Sequence, residues 1–464
     1  MLRDRYAPVD LFAQVPQLQR CLDPVLAHLD ALLDDDTLFQ HLKADLSQRY
    51  PQTLHTGRPS TPVEAILRLL VVKHLHGWSY EQTAHFVADS LVLRHFCRLY
   101  WQPVPDDTTL IRWANLIQPA TLHALLDHVV ELARQHKVTR GRKLRIDGTV
   151  VETNIRPPTD STLLGDGVRV LGRALRAARQ VLRGTSQAAG TLLRDRTRSA
   201  RRLVKRIFET TRQRGADADH LRRATYERLV QISTATVRQA TQAATRLREQ
   251  GSRAARRVAE QIEQVVPRVQ AVIQQTTRRV LRGEQVPARE KLVSLFEPES
   301  AIICKGKPHK PVEYGRMVWL GEVEGGIITD YEVLTGNPPD SDQVQPRLAR
   351  HQRLFGHAPK LLAGDRGCWS LENEAAAAAA GVEQICLPQP GAKTAERKAY
   401  EGQGWFKRGC NWRAGIEGRI HGLKVRQKLD RCLDHGTVGM ERWVGWGVIS
   451  HDLWQIAQAT AKRA

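Results

Sequence analysis

The chain has 464 residues, 41% of them apolar, with 70 Lys plus Arg against 49 Asp plus Glu and a formal charge of +21. That length suggests about three domains with ample core, which excludes a disordered or collagen-like chain. No run approaches the roughly 18 apolar residues of a spanning helix, and the first twelve residues, MLRDRYAPVDLF, hold no secretory apolar stretch.

Residues 1–140 read as a helical domain. Thr61-Pro62-Val63-Glu64 has the form of a Thr-capped helix start with Pro in the first turn, followed by Ile66, Leu69, Leu70 and Val72. Gly77 to Gln82 forms a turn and a Ser79-capped start. Asp106 and Asp107 cap a third helix carrying Leu110, Ile111, Trp113 and Leu116. Three short helices joined by tight turns make either a small bundle or a helix-turn-helix. In the second case Thr108, Thr109 and Arg112 face bases in a major groove.

The character changes at Arg142. Residues 141–164 open with a β-rich run, Lys143 to Thr153, in which Asp147 shares a face with Arg145, Thr149 and Val151. A carboxylate inside an apolar strand is costly unless something neutralises it.

Residues 165–290 hold the charge. Gly165–Arg289 contains 28 Arg plus Lys and 10 Asp plus Glu, so +18 of the +21 lies there. Apolar steps at Leu221, Leu229, Ile232, Val258, Ile262, Val265, Val269 and Ile273, with a break near Gly215, predict two long helices in an antiparallel hairpin. Such runs are often solvated faces. A single-sign arm nevertheless attracts phosphates, so the partner expected is nucleic acid ahead of acidic lipid.

Residues 291–438 return to strands and helices. Met317–Val323 and Ile327–Leu334 flank a Glu324-Gly325-Gly326 hairpin turn. A helix is predicted near Asp342–Leu354. Asp340 and Asp342 serve as loop and cap residues. A buried-type strand from Lys360 ends in Asp365-Arg366-Gly367, Ser370 caps a helix through the alanine run to Gly381, and Val382–Leu387 forms another strand. In residues 439–464, Trp443, Trp446, Ile449, Leu453 and Ile456 recur at helical steps and predict a helix that closes the core. Seven scattered cysteines, with no C-x-x-C pair, read as inert thiols rather than disulfides or a zinc site.

On a helix, Ile416, Ile420 and Leu423 form one stripe, while Arg413, Glu417, His421 and Lys424 form a second about 90° around. Packed on the sheet by the first stripe, this helix brings Glu417 towards Asp147 and Asp365. Singly, each acid is an ordinary surface or ion-paired carboxylate. Together, three converging carboxylates repel one another unless a cation lies among them. Magnesium prefers such hard oxygen ligands, and two ions can drive an in-line phosphoryl transfer.

These residues carry a resemblance. Asp147-Gly148-Thr149, Asp365-Arg366-Gly367 and Arg413-x3-Glu417-x6-Lys424 resemble the three acidic motifs of DDE transposases from bacterial insertion sequences, with Cys410 at the family's tyrosine position. Residues 55–118, with Gly57-Arg58-Pro59 and Gly77-Trp78-Ser79-Tyr80, resemble that family's helical N-terminal domain. The resemblance implies an α/β fold. It consists of an RNase H-like mixed sheet flanked by helices, an all-α N-terminal DNA-binding domain and a long basic helical-hairpin insertion. It also implies that Asp147, Asp365 and Glu417 bind two Mg2+ ions, with Mn2+ as a substitute. Arg413 and Lys424, with Arg366 and His421 beside the acids, contact DNA near the cleaved end. Trp405 is either a core aromatic or a stacking platform for an unpaired base.

The expected function is a transposase that binds terminal inverted repeats, cleaves there and joins 3′ ends to target DNA. It acts as a homodimer on the DNA, away from membranes, in a bacterial cytoplasm at the nucleoid. The alternatives are a metal-dependent nuclease or resolvase of the same fold, and an inert DNA-binding regulator.

Overall fold

The computed structural model describes residues 1–7, 23–48, 51–57, 59–182, 194–304 and 311–463. Cys21 lies outside them. They form two compact units, Met1–Glu152 with Met317–Ala464, and Thr153–Arg316.

The first unit opens with helices α1 (Pro24–Leu32), α2 (Asp36–Ser47), α3 (Val63–His76), α4 (Tyr80–Asp89), α5 (Leu91–Phe96), α6 (Asp107–Ala114) and α7 (Pro119–Gln135). Ser79 starts α4 through a reciprocal box: it accepts from the Gln82 amide at 3.0 Å while Gln82 accepts from the Ser79 amide at 3.0 Å. Asp106 caps α6 by accepting from the Thr109 amide at 2.6 Å. The α3 start differs from expectation. Pro62 is itself the cap residue, in extended conformation and with no side-chain bond, so Thr61 does not cap. The wholly buried Arg68 of α3 holds this helical part together by pairing with Glu64 at 3.1 Å and with Asp34 at 2.7 Å. α5, an extra turn after Ser90, was not foreseen.

A mixed sheet follows. Its strands are β1 (Lys143–Thr153), β3 (Glu313–Val323), β4 (Ile327–Val333), β5 (Leu361–Ala363), β6 (Gln384–Cys386) and β7 (Arg431–Cys432). β3 lies beside β1, with β4 on β3 and β7 on β1. β4 runs antiparallel to β3, and β5 and β6 run parallel to β1 and to each other. The hairpin turn is tied to the start of β1, because the Glu324 carboxylate accepts from the amides of Arg140, Arg142 and Lys143 at 2.9–3.0 Å. These bonds hold its pKa below the usual glutamate range against the opposing effect of burial.

The remaining helices of this unit are α12 (Val344–Phe355), α13 (Leu371–Ala379), α14 (Ala395–Gly402), α15 (Gly404–Arg426) and α16 (Gly436–Ala461). α15 packs on β5 and β6, and α16 packs on α1, α3, α7 and β4. The predicted stripe of α16, Trp443, Trp446, Ile449, Leu453 and Ile456, is buried throughout. No described helix is long and apolar enough to cross a membrane.

Among its described residues the second unit contains four long helices, not the two-helix hairpin expected. They are α8 (Asp160–Leu182), α9 (Thr197–Thr211), α10 (Ala216–Gln250) and α11 (Arg253–Thr276). α10 and α11 are the predicted pair, and α8 and α9 pack on them. Leu164, Leu171, Leu229, Leu247, Ile262 and Val269 share one buried cluster. The arginine-rich composition conceals the extra pair, although α8 buries Leu164, Val168, Leu171 and Leu175 and α9 buries Ala200 and Ile207 with Leu203 and Val204 beside them. β2 (Ala301–Ile303) pairs with Glu313–Gly315 in this unit.

Candidate active site

Strand register delivers two of the acids. Lys143 pairs with Leu361 and Arg145 with Ala363. Asp147 lies two residues beyond Arg145, and Asp365 two beyond Ala363. The two carboxylates therefore leave neighbouring parallel strands at the same level. Asp147 accepts from the Gly148 amide at 2.8 Å, and Asp365, just past the end of β5, accepts from the Cys368 amide at 3.2 Å.

Helix α15 delivers the third acid. Arg145 and Asp147, on the same face of β1, both reach it. Arg145 donates to the Trp412 carbonyl and lies 4.8 Å from the Trp412 ring centroid. Arg145 also makes a two-point pair with the fully buried Glu322 of β3, at 2.6 and 3.0 Å, and Arg419 joins the same carboxylate at 3.3 Å. Glu322 thus ties β1 and β3 to both ends of the 412–419 segment. The helix begins earlier than its motif suggests. Gln389–Asn411 holds Gly391, Gly402, Gly404 and Gly409, yet it carries α14 and the first turns of α15. Within it Gly409 serves close packing, since a Cβ there would sit 2.9 Å from the Cys386 sulfur, and further along α15 a Cβ at Gly415 would sit 2.6 Å from Arg145 Nη1.

Arg413 joins the three acids. Its Nη2 lies 2.9 Å from Asp147 and 4.0 Å from Asp365, and its Nη1 lies 3.1 Å from Glu417, one turn along the helix. Enclosure decreases from Asp147 to Asp365 to Glu417, whose side-chain exposures are 13%, 35% and 67%. The cluster therefore opens towards solvent on its Glu417 side. The three stretches that sequence spacing singled out come together at one cation.

That cation is a guanidinium. Three carboxylates facing a shared positive charge are a hard-oxygen donor set of the kind magnesium takes, so the residue types fit a divalent ion. Among the described residues, however, no group of three or more His, Cys, Asp or Glu has metal-binding spacing. In the present arrangement Arg413 does the neutralising.

Arg366 is exposed beside Asp365, His421 is exposed one turn after Glu417, and Lys424 is half-buried on the same helix. Trp405 is half-buried in an aromatic group, with Tyr400 and Phe406 centroids at 5.3 and 5.6 Å, and it donates to Gln403. It lies about 18 Å before Glu417 along the helix axis, at 1.5 Å per residue. Thr108 and Arg112 lie on the exposed side of α6, opposite the buried Leu110, Trp113 and Ala114. Thr109 is half-buried at the cap. Asp340 packs against Gly367 in a short turn, as loop duty implies.

Sequence reading missed Glu322, Arg419 and the fully buried Asp452, which accepts from the Ile328 amide at 2.9 Å. For Glu322, the available signal was an acid in the apolar run Leu320-Gly321-Glu322-Val323. Cys386 and Cys410, 3.2 Å apart at sulfur, were missed for want of any local spacing.

Residues 11–116 match a family of transposase domains, DUF772. The match spans α1 to α6 and supports a transposase. No curated protein and no solved structure matches the chain.

Proposed function

We propose that this protein is a DDE-type DNA transposase with an RNase H-like core. The observation that carries the reading is the meeting of Asp147, Asp365 and Glu417, from three distant stretches, at Arg413. Two further features support it: the order β4-β3-β1-β5-β6, with β1, β5 and β6 parallel and an acid on β1 and after β5, and the transposase domain at residues 11–116.

In this reading Asp147, Asp365 and Glu417 hold magnesium, two ions with manganese as a substitute, which supplies activation of the attacking oxygen and stabilisation of the leaving oxygen. Asp147 is the enclosed anchor. Asp365 and Glu417 face the open side, where a DNA end enters. Arg413, Lys424, Arg366 and His421 surround the acids with cationic and donor groups for the phosphates flanking the scissile bond. The Glu322 pairs fix α15 against the strands, so these groups are positioned before substrate arrives. On α6, Thr108, Thr109 and Arg112 read base edges of the terminal repeats, and the basic second unit holds flanking phosphates. Two element ends brought together imply a homodimer on the DNA.

The test is strand transfer. Given a pre-cut element end, taken from the DNA flanking this reading frame, and a supercoiled target plasmid with magnesium, the protein is expected to yield joined product. Nicking without joining would favour a nuclease or resolvase, and binding alone an inert regulator.

A further inference from the structure

Among the described helices of the second unit, α9 carries the densest run of cations. Viewed down α9, Ala200 and Ile207 are buried and Leu203 and Val204 half-buried, all on the side turned to the unit's own core. The opposite side carries Arg198, Arg201, Arg202, Lys205, Arg206 and, at the cap, Arg212, all exposed. The acid among them is Glu209, 3.7 Å from Lys205. An exposed pair of this kind is worth little, so the face stays strongly cationic. At its edge, in the row Arg201, Lys205, Phe208, Arg212, stands Phe208. This residue is 63% exposed, and the Arg212 guanidinium lies 5.2 Å from its ring centroid.

We propose that this face of α9 is a contact surface for duplex DNA, with Phe208 acting as a wedge at a base step. The inference deepens the transposase reading and rests on it for the identity of the partner. From Arg198 to Arg212 the helix rises about 21 Å at 1.5 Å per residue, the length of roughly six base pairs at 3.4 Å each. Cations spaced every three or four residues thus run beside a phosphate strand over that length. An aromatic ring amid them gains nothing from water and has no core to enter. Apolar side chains in such positions insert between base pairs and bend the duplex. An acidic lipid surface fits less well. A membrane-lying helix buries its apolar side in lipid, and here that side is already committed to the core, leaving one aromatic for the bilayer.

The test uses the full-length protein, a random-sequence duplex and fluorescence anisotropy at several salt concentrations. Each lost phosphate contact lowers the salt slope by about 0.9. Replacing Arg198, Arg202 and Lys205 together with Gln is therefore expected to reduce the slope by roughly 2.7. Phe208→Ala is expected to leave the slope unchanged, weaken binding about tenfold, and abolish the fluorescence rise of a 2-aminopurine placed in the duplex. Wild-type slope in the triple variant, wild-type affinity in Phe208→Ala, or loss of binding to phosphatidylserine vesicles instead of to duplex would each overturn the proposal. If that happens while Asp147→Asn still abolishes end cleavage, the α9 surface fails and the transposase reading stands.

Discussion

Arg145 on β1 and Glu322 on β3 form a buried two-point ion pair, and the same arginine reaches the Trp412 carbonyl of the helix that carries Glu417. One side chain therefore ties the sheet to the acid-bearing helix. Glu322→Gln keeps the shape and removes the charge, leaving Arg145 and Arg419 without their counter-ion. Breaking a buried pair in this way costs on the order of 3–5 kcal/mol. Urea denaturation should show that loss, and a variant as stable as the parent would contradict the anchoring role.

Arg413 neutralises three carboxylates at once. In Arg413→Gln those acids face one another without a countercharge, so the metal-free protein should melt lower than wild type. Added magnesium should raise the variant's melting temperature more than it raises the parent's, because no guanidinium competes for the acids. Equal magnesium shifts in the two proteins would count against a cation site there.

Gly409 lies within a helix, where Ala is intrinsically better by about 1 kcal/mol. The added methyl would meet the Cys386 sulfur at 2.9 Å and its Cβ at 3.1 Å, both in a buried position. Overpacking of this kind costs roughly 1–3 kcal/mol, so Gly409→Ala should destabilise despite the better propensity. A rise in melting temperature would mean that helix and strand yield easily at this contact.

Burial pushes His351 down to about 4 and His451 to about 3. His351 lies 3.0 Å from the Gly141 carbonyl and His451 lies 3.3 Å from that of Gly326. Both folded values lie below the ordinary 6.5, so between those limits the unfolded chain binds more protons and stability rises with pH. Their contribution is fully present above about 6.5 and is lost as pH falls towards 4 and then 3. His351→Asn should flatten the upper part of that acid decline in a melting series. An unchanged slope would place the histidine in water.

Much of the fold is readable from local chemistry. Ser79, Asp106 and Ser370 stand at helix starts, Glu324-Gly325-Gly326 turns a hairpin, and alternation marks β1. The acids were found because strand carboxylates and the Arg413-to-Lys424 spacing are unusual in themselves. What sequence conceals is long-range or depends on small residues. Alanines supply part of the core of the four-helix unit, glycines hide the first turns of α15, and Glu322 becomes recognisable only when Arg145 and Arg419 arrive from 177 residues before it and 97 after it. Arg413 as the meeting point of all three acids is likewise a tertiary fact, since its helix alone reveals only Glu417.

The most direct measurement compares Asp147→Asn, Asp365→Asn and Glu417→Gln with the parent in two assays on the element's own ends: gel-shift binding, and magnesium-dependent cleavage. The account predicts that each amide variant binds the ends as the parent does and cuts them below detection. Cleavage at the parental rate in any of the three would contradict it.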